Sequence, residues 1–395
     1  MSAIPRARRI CASCGCAAEP FIEFLDVPVN SCVLIRTRAE ALAYPRGDIV
    51  LSFCAACGFI GNLAFDAKLA EYSRRYEGTQ GFSPTFREFH RGLALDLVDR
   101  HGIRGKEVLE IGCGQGEFLA LLCEVGGNRG LGFDPSYDEH RTVLDGIAGA
   151  RVIADFYSDK YADRRADLVC CKMTLEHISG TAEFVRLARR ALRPDGGSVI
   201  YFLVPDAGRI IRDCAFEDIY YEHCSYFTPG SLARLFRAQG FEVVRLGSEY
   251  QGQYLAIEAE LADAPTTARL AEEDDLDQVR AVVESFHTRY ERKIADWRDV
   301  LQAAAMRGPV VLWGSGSKAA AFLNAADVDG IVGAVVDINP HKQGCFMPGS
   351  GLPIVGPQAL PDIAAATVII MNPVYRKEIG EKFTGLGLAP RILSL

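Results

Sequence analysis

Short apolar runs alternate with stretches of helical periodicity along most of the chain. At 108–111 an apolar run ends in a turn carrying Gly112, Gly114 and Gly116, and residues 117–122 continue with helical spacing. Strand, glycine turn and helix are predicted there. Further apolar runs at 130–134, 152–155, 166–171, 198–204 and from Phe241 are separated by helical segments, the pattern of a doubly wound parallel sheet. Ser83-Pro84 and Thr228-Pro229 read as helix starts, with a capping hydroxyl and proline in the first turn. From Leu276, the positions Val279, Val283, Phe286, Tyr290, Ile294, Trp297 and Leu301 recur at three-and-four spacing. They predict one long amphipathic helix that spans two larger units or packs against another subunit. From Val310 the strand–glycine turn–helix pattern begins again at Gly314 and Gly316, and a second strand ends at Asp337. The two α/β units share architecture without a sequence repeat.

Glycine suits positions 112, 114 and 116 because the backbone must turn sharply and admit a ligand where a Cβ would intrude. Dinucleotide enzymes use such a turn too. Glu110 before the turn is not part of their fingerprint. Asp134 stands about twenty residues on, where a carboxylate can take both ribose hydroxyls. Asp155, Phe156 and Tyr157 offer a carboxylate and rings suited to an adenine. Over about residues 80–250 this series resembles the class I S-adenosylmethionine (SAM) methyltransferases. The resemblance implies SAM as cofactor, held by Glu110, Gly112, Gly114, Gly116, Asp134, Asp155 and Phe156.

Near the N-terminus, Cys11-x-x-Cys14 and Cys54-x-x-Cys57 are each followed by glycine, at Gly15 and Gly58. Two such knuckles make a closed tetrahedral four-thiolate site, the usual structural zinc arrangement, although the spacing alone does not separate zinc from iron. Cys16 is badly spaced for a ligand, and Cys32 reads as a small buried residue. The 395 residues are 49% hydrophobic and carry a formal charge of −8, which argues against nucleic acid or a membrane as main partner. Thirteen cysteines, an odd number, with Cys-x-x-Cys pairs and no signal-like segment fit a reducing cytoplasm. Tyr72, Tyr76 and Phe82 precede the cofactor unit, where aromatics are more often core than catalytic. Residues 262–275 read as a linker. At the second glycine turn, phosphate can sit at the helix start after Gly316, with Lys318 and Lys342 nearby; the alternative is a structural appendage. The long helix leaves monomer and homodimer open.

Three features occur together in order: the two cysteine pairs, a SAM unit containing Tyr220, Tyr221, Glu222 and His223, and a terminal unit with Gly314, Ser315, Gly316, Ser317, Lys318 and, further on, Lys342. With them the chain resembles the sugar C-methyltransferases that act on nucleotide-linked 4-keto sugars, such as the dTDP-sugar 3-C-methyltransferases of deoxysugar pathways. The resemblance implies a zinc-binding domain at 1–70 and a class I SAM methyltransferase (Rossmann-like) α/β domain at 71–261. A linker with the long helix follows at 262–307, then a second, C-terminal Rossmann-like domain at 308–395. It implies His223 as base, Tyr220 and Glu222 in a Tyr-x-Glu-His pattern, His177 after the fourth strand, and Tyr76, more loosely, as an upstream active-site tyrosine. The nucleotide sugar would lie on Gly314, Ser315, Gly316, Lys318, Asp337 and Lys342. The chain departs from the family at 250–254, where Tyr250 to Tyr254 replaces a His-Gly-Gly stretch, and at Met371-Asn372, where Trp-Asn is usual. Both departures leave the acceptor open.

The chemistry suits these residue types. A ketone lets the neighbouring carbon be deprotonated to an enolate. Histidine has a pKa suited to taking that proton, and a tyrosine hydroxyl or second imidazole can stabilise the enolate oxygen. A histidine in an aromatic loop can equally be a satisfied structural residue. Three rivals stand beside this reading: a SAM-dependent O-methyltransferase, a zinc- and nucleotide-binding scaffold without turnover, and a nicotinamide oxidoreductase built on the Gly314 turn.

Overall fold

The computed structural model describes residues 9–262, 268–326, 328 and 330–395; residues 263–267 of the expected linker lie outside them. Three sheets organise the described chain. The first opens with β1 (Glu19–Pro28), followed by the short helix α1 (Arg38–Leu42), β2 (Arg46–Phe53) and β3 (Ile60–Asn62), all paired antiparallel.

The central unit begins with α2 (Pro84–His101). The Ser83 hydroxyl accepts from the Phe86 amide at 3.3 Å, and Gly102 closes the helix at φ 60°. Then come β4 (Glu107–Ile111), α3 (Glu117–Gly126), β5 (Arg129–Phe133), β6 (Ala150–Ile153), β7 (Leu168–Lys172), α4 (Thr181–Arg189), β8 (Val199–Pro205) and α5 (Ala207–Asp213). A two-residue strand, β9 (Ser225–Tyr226), leaves this unit and pairs with β3 as the fourth strand of the first sheet. The chain returns through α6 (Pro229–Ala238), β10 (Phe241–Glu249) and β11 (Tyr254–Leu261). The strand order is β10-β11-β8-β7-β4-β5-β6, with β11 antiparallel to both neighbours. Helices α2 and α3 cover one face, and α4 and α6 the other. β11 buries Leu255, Ile257 and Ala259 on one face and Tyr254 and Ala256 on the other. Its Glu258 is accommodated in the interior by Arg100, His101 and Arg245.

The periodic stripe from Leu276 forms α7 (Leu276–Ala305). Val279, Val283 and Phe286 pack with the first sheet and α5, whereas Ile294 and Leu301 pack into the third sheet's core. Each half of the stripe therefore has its own partner. The third sheet follows: β12 (Val310–Trp313), α8 (Ser317–Ala325), β13 (Val332–Val336), β14 (Ile354–Val355), α9 (Leu360–Ile363), β15 (Thr367–Ile370), α10 (Arg376–Gly385) and β16 (Arg391–Ser394). Its order is β14-β13-β12-β15-β16, all parallel. Among the described residues no helix is long and apolar enough to cross a membrane.

Candidate active site

The carboxyl ends of β4 to β7 meet where the strand order reverses, the usual crevice of an open parallel sheet. A cavity of about 810 Å³ lies there, walled by Gly112, Gly114, Asp134, Asp155, Phe156 and Lys172 among others. Gly112 sits at φ 71°, and a Cβ on it would come within 2.0 Å of the Thr174 hydroxyl. Asp134 is held by the Gly114 amide at 2.8 Å on one oxygen and by the Ser136 amide and hydroxyl at 2.8 and 2.6 Å on the other. Asp155 accepts from the Tyr161 hydroxyl at 2.7 Å and pairs with Lys160 at 3.0 Å; these partners lower its pKa. Phe156 is 58% exposed at the cavity edge. Two residues of the expected cofactor set do not wall the cavity. Gly116 caps α3 at φ 88°. Glu110 lies underneath, 1% exposed, with Lys172 Nζ 3.2 Å away. Burial raises the Glu110 pKa and Lys172 opposes that rise. The glycine cradle, the fixed carboxylate of Asp134 and the open ring fit SAM.

The far end of this cavity gathers aromatic and ionisable groups from distant segments. His177, on the turn after β7, and His223, after β8, pack edge to face with centroids 4.8 Å apart. Tyr220 lies 4.0 Å from the His223 ring. The Tyr72 hydroxyl bonds His177 Nδ1 at 2.8 Å, and Tyr76 packs on Tyr72. Burial lowers His177 to about 4, raises Tyr72, Tyr76 and Tyr220, and lowers His223 well below the usual imidazole value. His177, His223, Tyr220 and Tyr76 all wall the cavity. Glu222 does not. Its carboxylate accepts from the Asn30 side-chain amide at 3.1 Å and the Ser31 amide at 2.9 Å, and also from the Ser31 hydroxyl. It ties the His223 loop to the first sheet.

The carboxyl facing His223 belongs to Glu176, with Oε1 3.9 Å from His223 Nε2. The sequence pattern does not mark Glu176; its one signal is its place beside His177. Burial raises it to about 8. Its folded pKa thus exceeds its ordinary value, so its contribution to stability is complete below about pH 4.5 and is lost as pH rises through about 8. Glu176→Gln is therefore expected to raise the unfolding temperature at pH 8.5 and to change it little near pH 4.5. The effect is a few kcal/mol at most, since a tenfold change in proton affinity is about 1.4 kcal/mol. A pH series of thermal unfolding curves checks this.

A second cavity of about 230 Å³ adjoins the first and shares Gln80, Met173, Tyr220 and Ser317 with it. Gly314, Gly316, Lys318, Asp337 and Lys342 wall it, whereas Ser315 turns its amide and hydroxyl to Asp337. Lys318 and Arg209 both pair with Asp218, leaving one net positive charge on this trio, and Arg209 Nε is buried without a partner. Burial opposes the Lys342 ammonium, but Cys32, Asp337, Glu77 and Glu222 outweigh it and raise its pKa. Gln253 and Asn372 close the cavity with paired amides at 2.8 and 2.9 Å. They lie in the two stretches where the sequence departs from the resembled family.

At the other end of the first sheet, Cys11, Cys14, Cys54 and Cys57 bring their sulfurs within 4.8 Å of one another. The closest pairs are 3.6 Å apart, too far for disulfides. Sulfurs about 2.3 Å from a tetrahedral zinc would be about 3.8 Å apart, so the donor set fits that ion. Gly15 and Gly58, both at φ 76°, donate their amides to the Cys11 and Cys54 carbonyls.

The strand order and the glycine cradle define a class I SAM-dependent methyltransferase. A family model described as "Methyltransferase domain" matches residues 86–246, and one described as "C-methyltransferase C-terminal domain" matches 255–387. The chain is 29% identical over 290 residues to C-methyltransferase NovU of Streptomyces niveus, covering 68% of this chain and 67% of that one. It is 30% identical over 227 residues to a Mycolicibacterium smegmatis protein named "Probable S-adenosylmethionine-dependent methyltransferase", covering 52% of this chain and 83% of the relative. Among solved structures, the 1,6-didemethyltoxoflavin-N1-methyltransferase of Burkholderia thailandensis matches at 20% identity and TM-score 0.37, over 47% of this chain and 92% of that one. The chain belongs to the SAM-dependent methyltransferases, and its methyltransferase domain is followed by a match to the C-methyltransferase C-terminal domain.

Proposed function

We propose that the enzyme methylates a ring carbon, C3 in our reading, beside the ketone of a nucleotide-linked 4-keto sugar. The observation that carries this reading is the junction of the two cavities. Tyr220 belongs to both walls, and His223 and His177 stand directly behind it. A sugar reaching from the second cavity would meet a base and hydroxyl donors at the end of the cofactor cavity. The net positive charge of Arg209, Lys318 and Asp218, with the unpartnered Arg209 Nε, suits a diphosphate. Gln253 and Asn372 are placed to read the group beyond it.

In this reading His223 removes the proton from the carbon next to the ketone. Tyr220, with His177, donates to the oxygen on which the enolate charge gathers. When bound, SAM supplies the electrophilic methyl that this carbon takes. The protein's main contribution is to hold both partners in line. Zinc on the four thiolates is a structural element with no part in the step.

Incubation with SAM and a panel of nucleotide-linked 4-keto sugars, followed by mass spectrometry with fragmentation, tests the reading. A methyl on the carbon beside the ketone, with solvent deuterium exchanging at that carbon, is the expected result. A methyl on oxygen without exchange would replace it with O-methylation. Asp134→Ala is expected to weaken SAM binding by about 10–100-fold, the loss of a charged hydrogen-bond acceptor being about 1.5–3 kcal/mol; calorimetric titration with SAM reads it.

A further inference from the structure

Glu176 stands beside the proposed base with its hydrogen-bonding capacity unused. Both carboxyl oxygens are buried without a partner, and so is Nδ1 of the neighbouring His223 ring. Leaving such atoms unpaired in the interior is costly, and native structures seldom do it without a reason. The other acid near His223 is already committed, because Glu222 is bound by Asn30 and Ser31. His177 is held from its own side by Tyr72. Glu176 is thus the carboxyl positioned to answer a positive charge on the His223 ring.

The groups around Glu176 leave it in that role. Tyr72 faces it from the segment before α2, Cys171 from β7, and His177 from its own turn. Tyr220, His223 and Cys224 face it from the loop after β8, and Tyr254 from β11. All are neutral in their ordinary state at this depth. Lys318 acts on His223 but is itself paired with Asp218.

We propose that Glu176 is the positioning residue of the base, drawing in the His223 ring as the imidazolium forms on it and matching its charge. This rests on His223 being the base. The sugar C–H bond breaks, its electron pair stays on carbon as the enolate, and the proton forms an N–H bond at His223 Nε2. That nitrogen is 3.9 Å from Glu176 Oε1, and a shift of about 1 Å brings it to charge-assisted hydrogen-bond distance. The carbanion's electron pair would form the new bond to the methyl that SAM supplies when bound, the methyl–sulfur bond breaking with its pair left on a neutral thioether, and the proton on the pair leaves to solvent. One proton is released for each methyl transferred. The pair, and not the ring alone, then sets the pH at which the enzyme turns over.

The test uses the full chain. Rates with the panel sugar that turns over best are measured from pH 5.5 to 9.5 for the wild type, Glu176→Gln, Glu176→Asp and His223→Ala. Wild-type kcat is expected to rise with pH as the pair loses its resting proton. Glu176→Gln should lower kcat by about 10²-fold with KM within about twofold, and should lose that rise, because only the acid-shifted imidazole remains. Glu176→Asp should recover part of the rate and the rise. Histidine 15N spectra, with His223 assigned by its absence in His223→Ala, should show a His223 step near the wild-type rate limb that vanishes in Glu176→Gln. An unchanged rate profile and an unchanged His223 step in Glu176→Gln, with His223→Ala inactive, would overturn this inference alone. Full activity of His223→Ala would overturn the base assignment beneath it.

Discussion

Replacing His223 by alanine is expected to lower kcat by about 10²–10⁴-fold, the usual contribution of a positioned general base, and to leave SAM affinity within about twofold. The two expectations separate because different strands build the two ends of the cavity. Asp134, Asp155 and Phe156 follow β5 and β6, whereas His223 follows β8 and packs on the turn after β7. Removing the imidazole takes nothing from the glycine cradle or from the hydrogen bonds that fix Asp134. Deuterium exchange beside the ketone should disappear together with methylation, since both need the same deprotonation. Added imidazole should restore part of the rate by entering the space left behind. Unimpaired exchange in His223→Ala would assign the proton to another group. Tyr220→Phe is the milder companion, expected to cost about 10²-fold by removing one donor to the enolate oxygen.

The parts of the molecule legible in the sequence are those written in local pattern. The turn at Gly112 shows because apolar residues precede it and only glycine tolerates φ 71° against Thr174. α7 shows because its apolar stripe keeps helical spacing, although nothing in the stripe says that Phe286 and Leu301 face different cores. β11 is hidden by Glu258 and Glu260, which interrupt its apolar run; the cations that accommodate Glu258 come from α2 and β10. β9 is too short to carry a pattern, and its partner β3 is far away in sequence. The site divides in the same way. Glu176 and Glu222 both adjoin a histidine, and sequence gives no means of ranking them. Contacts 191 residues apart occupy Glu222 with Ser31, and burial leaves Glu176 beside His223. Arg209 sits in a helix with no motif and gains its place only when α8 brings Lys318 to Asp218.

Loss of a metal held on the four thiolates should reach the active site, although none of the four cysteines touches it. The knuckles are fixed to the central unit. Cys11, Cys54 and Cys57 belong to the same core as Phe227 and Leu232, the Arg234 Nε donates to the Cys57 carbonyl at 2.8 Å, and the Thr181 hydroxyl donates to the Ala12 carbonyl at 3.2 Å. From β2 and β3 the first sheet leads to β9, two residues beyond His223, and the loop after β1 supplies the Asn30 and Ser31 that hold Glu222. We expect one zinc per chain by elemental analysis. Cys54→Ala should lose that zinc and lower the unfolding temperature by about 10 °C or more, because structural zinc contributes folding free energy directly. It should also lower kcat by about tenfold or more, with SAM affinity nearly unchanged, since the cradle at β4 and β5 has its own support in α2 and α3. A fall in SAM affinity as large as the fall in kcat would place the damage in the central fold. A Cys54→Ala protein that kept its unfolding temperature and its rate would mean that the four sulfurs meet without holding a metal.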